Sequence, residues 1–380
     1  PSGRRAALAG MSAGDKGLML LKRTAAAAGG KPAQLQLIAT EVPKPTVTQA
    51  DEILIRVGAA PINPSDMGGL LMGGDRLDEA ETWAGNGTHG VNIPLPDEWS
   101  GGVQDSEWQP LGNEGAGVVV DAGKDAKHLM GKTVFFQGGS YCQFHMRSME
   151  HVQVQPDGVT PKQAASSFVN PMTVLGMLEK MRREGHSGIV HTAAASQLGQ
   201  QLLKVCLEEK VPLVNVVRRP QQVKLLQKLG AEHVVSTASA TFREDLTKAL
   251  TETGATIAFD AIGGGDVASV VLECMEAAAW ARGATGSSYG SSVWKQVYNY
   301  GRLDPVNPTF FSCNYGGYRW NIGGYLVSDF LETVSKEWME AAKSRIASSL
   351  ETTFLTTYGK EVSLVELLEP ANLKLTNAKV

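Results

Sequence analysis

Arg218 and Arg219 stand side by side just past an apolar run, Leu213-Val214-Asn215-Val216-Val217. That run ends about 20 residues beyond Gly199, the last residue of a small-residue stretch, Ala193-Ala194-Ala195-Ser196-Gln197-Leu198-Gly199. These types and spacings suit one kind of chemistry. Small residues let a backbone approach a pyrophosphate and let a helix pack close to the strand before it. The helix that starts there offers unpaired N–H groups and a positive dipole end to the phosphates. In a unit that binds NAD, an Asp or Glu near the end of the second strand accepts from the ribose 2′-hydroxyl. Two guanidinium groups suit a 2′-phosphate instead, because the planar fork matches phosphate oxygens. The pattern points to NADPH rather than NADH. The fingerprint G-x-G-x-x-G is reduced here to Ala194-x-Ser196-x-x-Gly199. The turn alone reads equally well as a plain buried strand–helix turn, and the arginines alone as a solvated basic turn; together they point to a dinucleotide.

The elements that must position these residues follow from periodicity. Ile189 and Val190 begin a strand, and Leu198, Leu202, Val205 and Cys206 then recur at helical spacing. Beyond the arginines come an amphipathic helix over 221–229 stopped by Gly230, a strand over 232–236, a helix over 242–251 and a strand over 255–260. Such alternation predicts right-handed crossovers and a parallel sheet. The run 261–265, with Ile262 and Gly263, falls at its C-terminal edge, where ligands bind. Residues 296–301 and 319–327 read as strands five and six, 276–294 as an insertion and 328–348 as a helix. Upstream, 18–24, 34–41, 52–57, 112–120, 133–136 and 140–146 read as strands of a β-rich unit over 18–155, a partly open barrel. Residues 71–110, rich in Gly, Pro and Trp, read as a functional loop or lid. Thr160 and Pro161 open a mostly helical stretch to Met181. The tail, 353–380, is expected to hold one or two strands and to return to the first unit. Residues 1–17 read as a flexible tail, with a processed presequence as the alternative.

Composition bounds the function. The chain has 380 residues, 43% hydrophobic and 19% charged, with a net charge of −4 and a pI near 6.0. That leaves no electrostatic footprint for nucleic acid or an anionic membrane. No apolar run reaches transmembrane length. The four cysteines, 142, 206, 274 and 313, form no C-x-x-C pair, so neither a disulfide framework nor a zinc lobe is expected, and a cytoplasmic setting fits. Asn86-Gly87-Thr88 matches a glycosylation sequon and, without a secretory signal, reads as chance.

Several motifs occur in one order: Pro61-Ile62-Asn63-Pro64-Ser65-Asp66, Gly112-x-Glu114-Gly115-Ala116-Gly117, Gly139-Ser140-Tyr141, Pro171-Met172-Thr173, the Ala-Ala-x-Ser-x-x-Gly turn, Leu229-Gly230-Ala231-Glu232-His233-Val234, Phe259-Asp260-x-x-Gly263-Gly264 and Tyr300-Gly301. In this order the chain resembles the medium-chain dehydrogenase/reductase superfamily, and within it the zinc-independent quinone oxidoreductase and enoyl reductase branch. The resemblance implies an α/β protein in which a GroES-like β-rich catalytic domain, 18–158 and 345–380, is interrupted by a Rossmann domain with a doubly wound parallel sheet, 159–344. It implies NADPH as hydride donor and a homodimer joined by sheet edges. Asn63, Tyr141 and Thr173 are the implied catalytic residues. Asn63 and Thr173 would orient the nicotinamide or a substrate carbonyl, and Tyr141 would donate a hydrogen bond. Asn63 also reads as an Asx-turn residue, and Tyr141 as a buried strand tyrosine. The implied cofactor contacts are Ala194, Ser196, Gln197, Leu198, Gly199, Arg218, Arg219, Gln222, Ile262, Gly263, Tyr300, Gly301 and Gly324. Tyr315, Tyr318 and Trp320 read as pocket lining or as core.

Zinc-bearing relatives place a Cys where Asn63 stands and a His where Asn113 stands. Amide oxygens are poor zinc ligands, so no metal is expected, and a developing oxyanion must be held by hydrogen bonds alone. Enoyl reductases carry a proton-donating Tyr shortly after the Asn-Pro-x-Asp turn, whereas here Met67-Gly68-Gly69-Leu70 follows. That favours quinone or α,β-unsaturated carbonyl substrates. A 2-enoyl thioester reductase and a non-catalytic NADPH-binding protein stay open as alternatives.

Overall fold

The computed structural model describes residues 16–66, 74–96, 102–304 and 306–376. The chain divides into two compact units. One runs through Ser166 and resumes at Tyr358; the other is Ser167–Thr357.

The first unit is built from two five-stranded sheets. One has the order β4-β5-β2-β1-β6, with β1 at Lys16–Ala25, β2 at Gln34–Pro43, β4 at Glu81–Gly85, β5 at Thr88–Pro94 and β6 at Gln109–Pro110. The other has the order β10-β8-β7-β3-β9, with β3 at Glu52–Ala59, β7 at Glu114–Ala122, β8 at Thr133–Gln137, β9 at Phe144–Ser148 and β10 at Val152–Val154. Alternation builds the first core: Leu35 and Leu37 stand opposite Ile93 and Val91, and all four are buried.

That pairing corrects the expectation of a loop over 71–110, of which 71–73 and 97–101 lie outside the described residues. Asn86 and Gly87 both have positive φ, 51° and 73°, and link Gly85 to Thr88 in register. This is the primed two-residue turn whose twist matches paired strands. Trp83 lies opposite Gly90, where a Cβ would fall 2.3 Å from its ring. The strand expected over 140–146 starts only at Phe144, because Gly138 and Gly139 turn with positive φ.

The tail returns to this unit, where Leu367, Leu368 and Leu373 join the cluster around Leu20, Leu35 and Leu37. It forms a 3₁₀ turn, Glu366–Leu368, and a helix, Pro370–Thr376, rather than strands. Ser363 and Glu366 exchange hydrogen bonds, Ser363 N–H to Glu366 Oε2 at 2.7 Å and Glu366 N–H to Ser363 Oγ at 3.2 Å. That box and Pro370 are helix-starting signals.

The second unit carries a six-stranded parallel sheet, β13-β12-β11-β14-β17-β18. Its strands are β11 at Ile189–Thr192, β12 at Leu213–Val217, β13 at His233–Ser236, β14 at Ile257–Asp260, β17 at Lys295–Asn299 and β18 at Trp320–Gly324. Counted within the unit the order is 3-2-1-4-5-6, the doubly wound order of dinucleotide-binding sheets. Val190, Val214, Val216, Ala258 and Val297 fill one face of the core. The fold class is thus a GroES-like β-rich unit plus a Rossmann unit.

Residues 276–294, expected as an insertion, begin inside a helix. The helix Val267–Ala281 runs through Ala277-Ala278-Ala279, strong helix formers, and a short hairpin follows, β15 at Gly286–Ser287 and β16 at Gly290–Ser291. The helix expected over 328–348 is two, Val327–Leu331 and Lys336–Ser348. Thr333 donates to Phe330 O at 2.7 Å, and Ser335 Oγ accepts from Trp338 N–H at 3.2 Å to start the second. The second crossing between units falls after Thr357 rather than at 344/345. Arg345 on the later helix pairs with Glu208 and Glu209 of the Rossmann unit and keeps it there. Among the described residues no helix is long and apolar enough to cross a membrane.

Candidate functional site

In the first unit the polar residues converge on the turn 61–66. Asp66 is 2% exposed, and its carboxylate accepts from Asn63 N–H and Asn113 N–H, both at 2.6 Å. Burial pushes the Asp66 carboxyl up to about 6, against the pull of those two N–H groups. Asn63 is also buried, and its Nδ2 donates to the fully buried Glu114 Oε1 at 3.0 Å. That bond fixes the amide's orientation, which the sequence alone left open. Tyr141 is buried and donates to Pro61 O at 3.0 Å. Burial, then the nearby Asp66 charge, raises its phenol well above the ordinary range. Its proton braces the turn. The turn is thus clasped by Asp66 from inside and by Tyr141 from beneath. Asn113 Nδ2 donates to Ser65 Oγ at 3.1 Å. Among the described residues no cluster of three His, Cys, Asp or Glu side chains could hold a metal.

In the second unit the first strand–helix turn has Ala193 at φ 50°, a left-handed value uncommon for a residue with a Cβ. Ser196 caps the helix Gln197–Glu209, its Oγ accepting from Gly199 N–H at 3.1 Å. A Cβ on Gly199 would lie 2.2 Å from Ala194 O, so the helix packs against the turn before it as closely as a backbone allows. Ala194 and Leu198 are buried. Gln197 turns its side chain away from the turn, donating to Leu355 O at 2.8 Å and accepting from Thr357 N–H at 3.2 Å.

At the end of β12, Arg218 and Arg219 have exposed side chains. Their backbone is pinned: both N–H groups donate to Gln222 Oε1, at 3.0 and 2.7 Å. Gln222 therefore serves as a helix cap that holds the arginine pair in place.

Past β14 the loop with Ile262 and Gly263 is organised by Asp260, whose role no spacing announced. Thr192 donates to Asp260 Oδ1 at 2.6 Å, Ile262 N–H to Oδ1 at 3.0 Å and Gly263 N–H to Oδ2 at 3.0 Å. Gly263 has φ 67°, and a Cβ there would lie 2.4 Å from Gly301 O. The loop and Tyr300-Gly301 are thus packed backbone against backbone. Tyr300 OH lies 2.7 Å from His191 Nε2. Burial pushes the His191 imidazole down to about 3, so it is neutral, and raises the Tyr300 phenol. Thr173, in the helix Val169–Arg183, donates its hydroxyl back to Val169 O at 2.6 Å. Gly324 ends the edge strand β18, exposed, with open space where a Cβ would be. Tyr315 is fully buried core and Tyr318 is 88% exposed; Trp320 packs edge-on to Tyr315 at 5.0 Å.

No protein-family model matches the chain. It is 27% identical over 196 residues to the mitochondrial enoyl-[acyl-carrier-protein] reductase of Xenopus tropicalis, covering 49% of this chain and 48% of that protein. It is 24% identical over 171 residues to a quinone oxidoreductase of Salmonella typhimurium, covering 44% of this chain and 52% of that protein. The chain thus spans about half the length of the curated relatives it matches. A solved structure assigned as an NADPH:quinone reductase from Mesorhizobium loti superposes with a TM-score of 0.70 at 23% identity, covering 96% of this chain and 97% of that one. A mutant form of enoyl thioester reductase from Candida tropicalis superposes with a TM-score of 0.61 at 18% identity, covering 93% and 95%. At those identities the structural likeness speaks for the fold. Sequence and fold together show the resemblance to the zinc-independent quinone oxidoreductases and enoyl reductases of the medium-chain dehydrogenase/reductase superfamily.

Proposed function

We propose that the chain is an NADPH-dependent oxidoreductase that delivers hydride to a quinone or an α,β-unsaturated carbonyl without a metal. The observation that carries the reading is the 3-2-1-4-5-6 sheet, with its Ser196-capped helix after the first strand and the exposed Arg218-Arg219 pair after the second. The donor set fits the cofactor. Gly199 leaves no Cβ between the helix and the turn backbone at Ala194, so the helix can start close against the turn, and the first N–H groups of the helix lack partners within it. The two guanidinium groups would take the 2′-phosphate. Ala194 and Ser196 with the N–H groups of Gln197 and Leu198 would hold the pyrophosphate, and Gly199, whose N–H goes to Ser196 Oγ, would border it. Gln222 acts through the arginines, and Ile262, Gly263, Tyr300, Gly301 and Gly324 would border the remaining half. NADPH, when bound, supplies the hydride. Asn63 would orient the nicotinamide or substrate with an amide that Glu114 holds in one orientation. Thr173 would act as an acceptor, since its proton is given to Val169 O. Tyr141 would act by bracing the turn that carries Asn63. The proton that completes reduction would come from water.

A second reading, reduction of 2-enoyl thioesters, is favoured by the enoyl-[acyl-carrier-protein] reductases among the sequence relatives. We also propose a homodimer, joined at the edge strand β18. NADPH and NADH oxidation, followed by absorbance with a simple quinone and with a crotonyl thioester, tests the function. Turnover with quinone and NADPH supports the first reading. Turnover with the thioester alone replaces it with the second. NADPH binding without turnover on either acceptor, or on other enones, would refute both in favour of a binding role.

A further inference from the structure

The helix Gln197–Glu209 carries a polar stripe that the proposed cofactor site leaves unexplained. Residues 197, 201, 204 and 208 recur every three or four positions and so share one face. Each is hydrogen-bonded to a single short segment, 352–357. Gln197 donates to Leu355 O at 2.8 Å and accepts from Thr357 N–H at 3.2 Å. Gln201 donates to Phe354 O at 3.1 Å and to Thr356 Oγ1 at 3.4 Å. Lys204 donates to Thr352 O at 2.8 Å. Thr353 donates to Glu208. The segment is the last stretch of the Rossmann unit before the chain crosses to the other unit at Tyr358.

Packing alone does not account for the stripe. Gln201 is fully buried, and its Oε1 has no hydrogen-bond partner. An unsatisfied buried acceptor is costly, and an apolar side chain would avoid it. What the amide contributes there is its donor to the segment. The helix face holds the 352–357 backbone as a partner strand would, but with side chains.

We propose that Gln197 is a positioning residue that couples cofactor binding to order in this segment. This rests on the reading that the turn before the helix binds a dinucleotide phosphate. Gln197 sits in the first helical turn: its backbone belongs to the phosphate turn, its side chain to the segment. An anion that orders the first turn therefore tightens the hold on 355–357. By reciprocity, the intact hold lowers the ordering cost of binding.

The experiment uses the full chain. Hydrogen exchange of the Thr357 amide is followed with and without NADP⁺, alongside titration of NADP⁺ affinity by calorimetry, for wild type, Gln197→Ala, Gln197→Glu and Lys204→Ala. In wild type, saturating NADP⁺ slows exchange at Thr357 several-fold. In Gln197→Ala, cofactor-free exchange at Thr357 accelerates by about tenfold, the NADP⁺ effect disappears and affinity falls by the factor lost from the protection. Gln197→Glu keeps an acceptor for Thr357 but no donor for Leu355, and retains part of both effects. Lys204→Ala loosens Thr352 but leaves the NADP⁺ effect at Thr357 in place, which a merely structural tie would not distinguish. Unchanged Thr357 exchange in Gln197→Ala overturns the hold itself. NADP⁺ binding to wild type without slowing Thr357 overturns the coupling alone. Absence of NADP⁺ binding overturns the coupling together with the function it rests on.

Discussion

Lys295 opens β17 with a side chain that is 0% exposed, paired with Glu276 at 8% exposed. Its ammonium donates to Glu276 Oε2 at 2.6 Å, Val293 O at 3.1 Å and Ser291 Oγ at 3.4 Å. Glu276 also accepts from Ser291 N–H at 2.8 Å, Ser291 Oγ at 2.6 Å and Trp280 Nε1 at 2.7 Å. Burial pushes the Glu276 carboxyl up, but Lys295 and Ser291 outweigh it and hold it below its ordinary value. Lys295→Met removes the cation and strands the carboxylate. Removing one partner of a buried pair costs roughly 3–5 kcal/mol. The three remaining donors to Glu276 place this case near the lower end, about 3 kcal/mol. For a unit of this size each kcal/mol moves the midpoint by about 2–4 °C, so the Tm should fall by about 10 °C. Urea and thermal unfolding followed by circular dichroism measure both. Adding Glu276→Gln removes the stranded charge while keeping an acceptor for Ser291 and Trp280, and should recover more than half of the loss. A cost under about 1 kcal/mol for Lys295→Met, or no recovery in the double variant, would refute the argument that the pair is buried and mutually required.

Arg218→Ala with Arg219→Ala should raise the KM for NADPH by about 10- to 100-fold, the worth of charge-assisted bonds to a phosphate, and leave NADH nearly unchanged. An equal loss for both cofactors would sink the 2′-phosphate assignment. Gly199→Ala puts a Cβ 2.2 Å from Ala194 O; the forced shift should cost about 1–3 kcal/mol in stability and weaken NADP⁺ binding, read by thermal shift with and without cofactor. Asp66 has a folded-state pKa of about 6 against 3.8 unfolded, so the native state binds the extra proton. Its contribution is present below about pH 4 and is lost as pH rises through 6, on the order of 3 kcal/mol. Urea unfolding from pH 4 to 7 should show this fall in wild type and a flatter profile in Asp66→Asn; identical slopes would contradict it.

The Rossmann unit was legible because its strands are short, buried on both faces and β-branched, and because a strand–helix turn must be built of small residues. The hairpin at Asn86-Gly87 was equally legible in principle. Its dipeptide and the alternation of Val91, Ile93 and Leu95 carry the signal, but the surrounding Gly, Pro and Trp suggested a loop. The tail was expected to hold strands, while the Ser363–Glu366 box and Pro370 set the local structure. Lys295 was invisible as an organising residue, since Glu276 lies 19 positions away and no local period reports a buried charge pair; Asp260 stood in a quoted motif, but its bond from Thr192, 68 positions away, left no local signal. Tyr141 and Gln222, expected as a hydrogen-bond donor and a cofactor contact, bond to backbone groups in the structure, Pro61 O and the Arg218 and Arg219 N–H groups.

The interrupted layout of the first unit has a consequence for synthesis. The Rossmann unit is one continuous stretch, 167–357, and its contacts become available as soon as that stretch has left the ribosome. The core of the first unit includes Leu367, Leu368 and Leu373 packed with Leu20, Leu35 and Leu37, so it cannot be completed until residues 367–373 emerge. Loops of more than 300 residues must then be shut at a late step, after the inserted unit has already folded. Until that step the β-rich half exposes apolar strands, which makes it the half that chaperones would engage and the half that a chain broken off before residue 360 would leave unfinished.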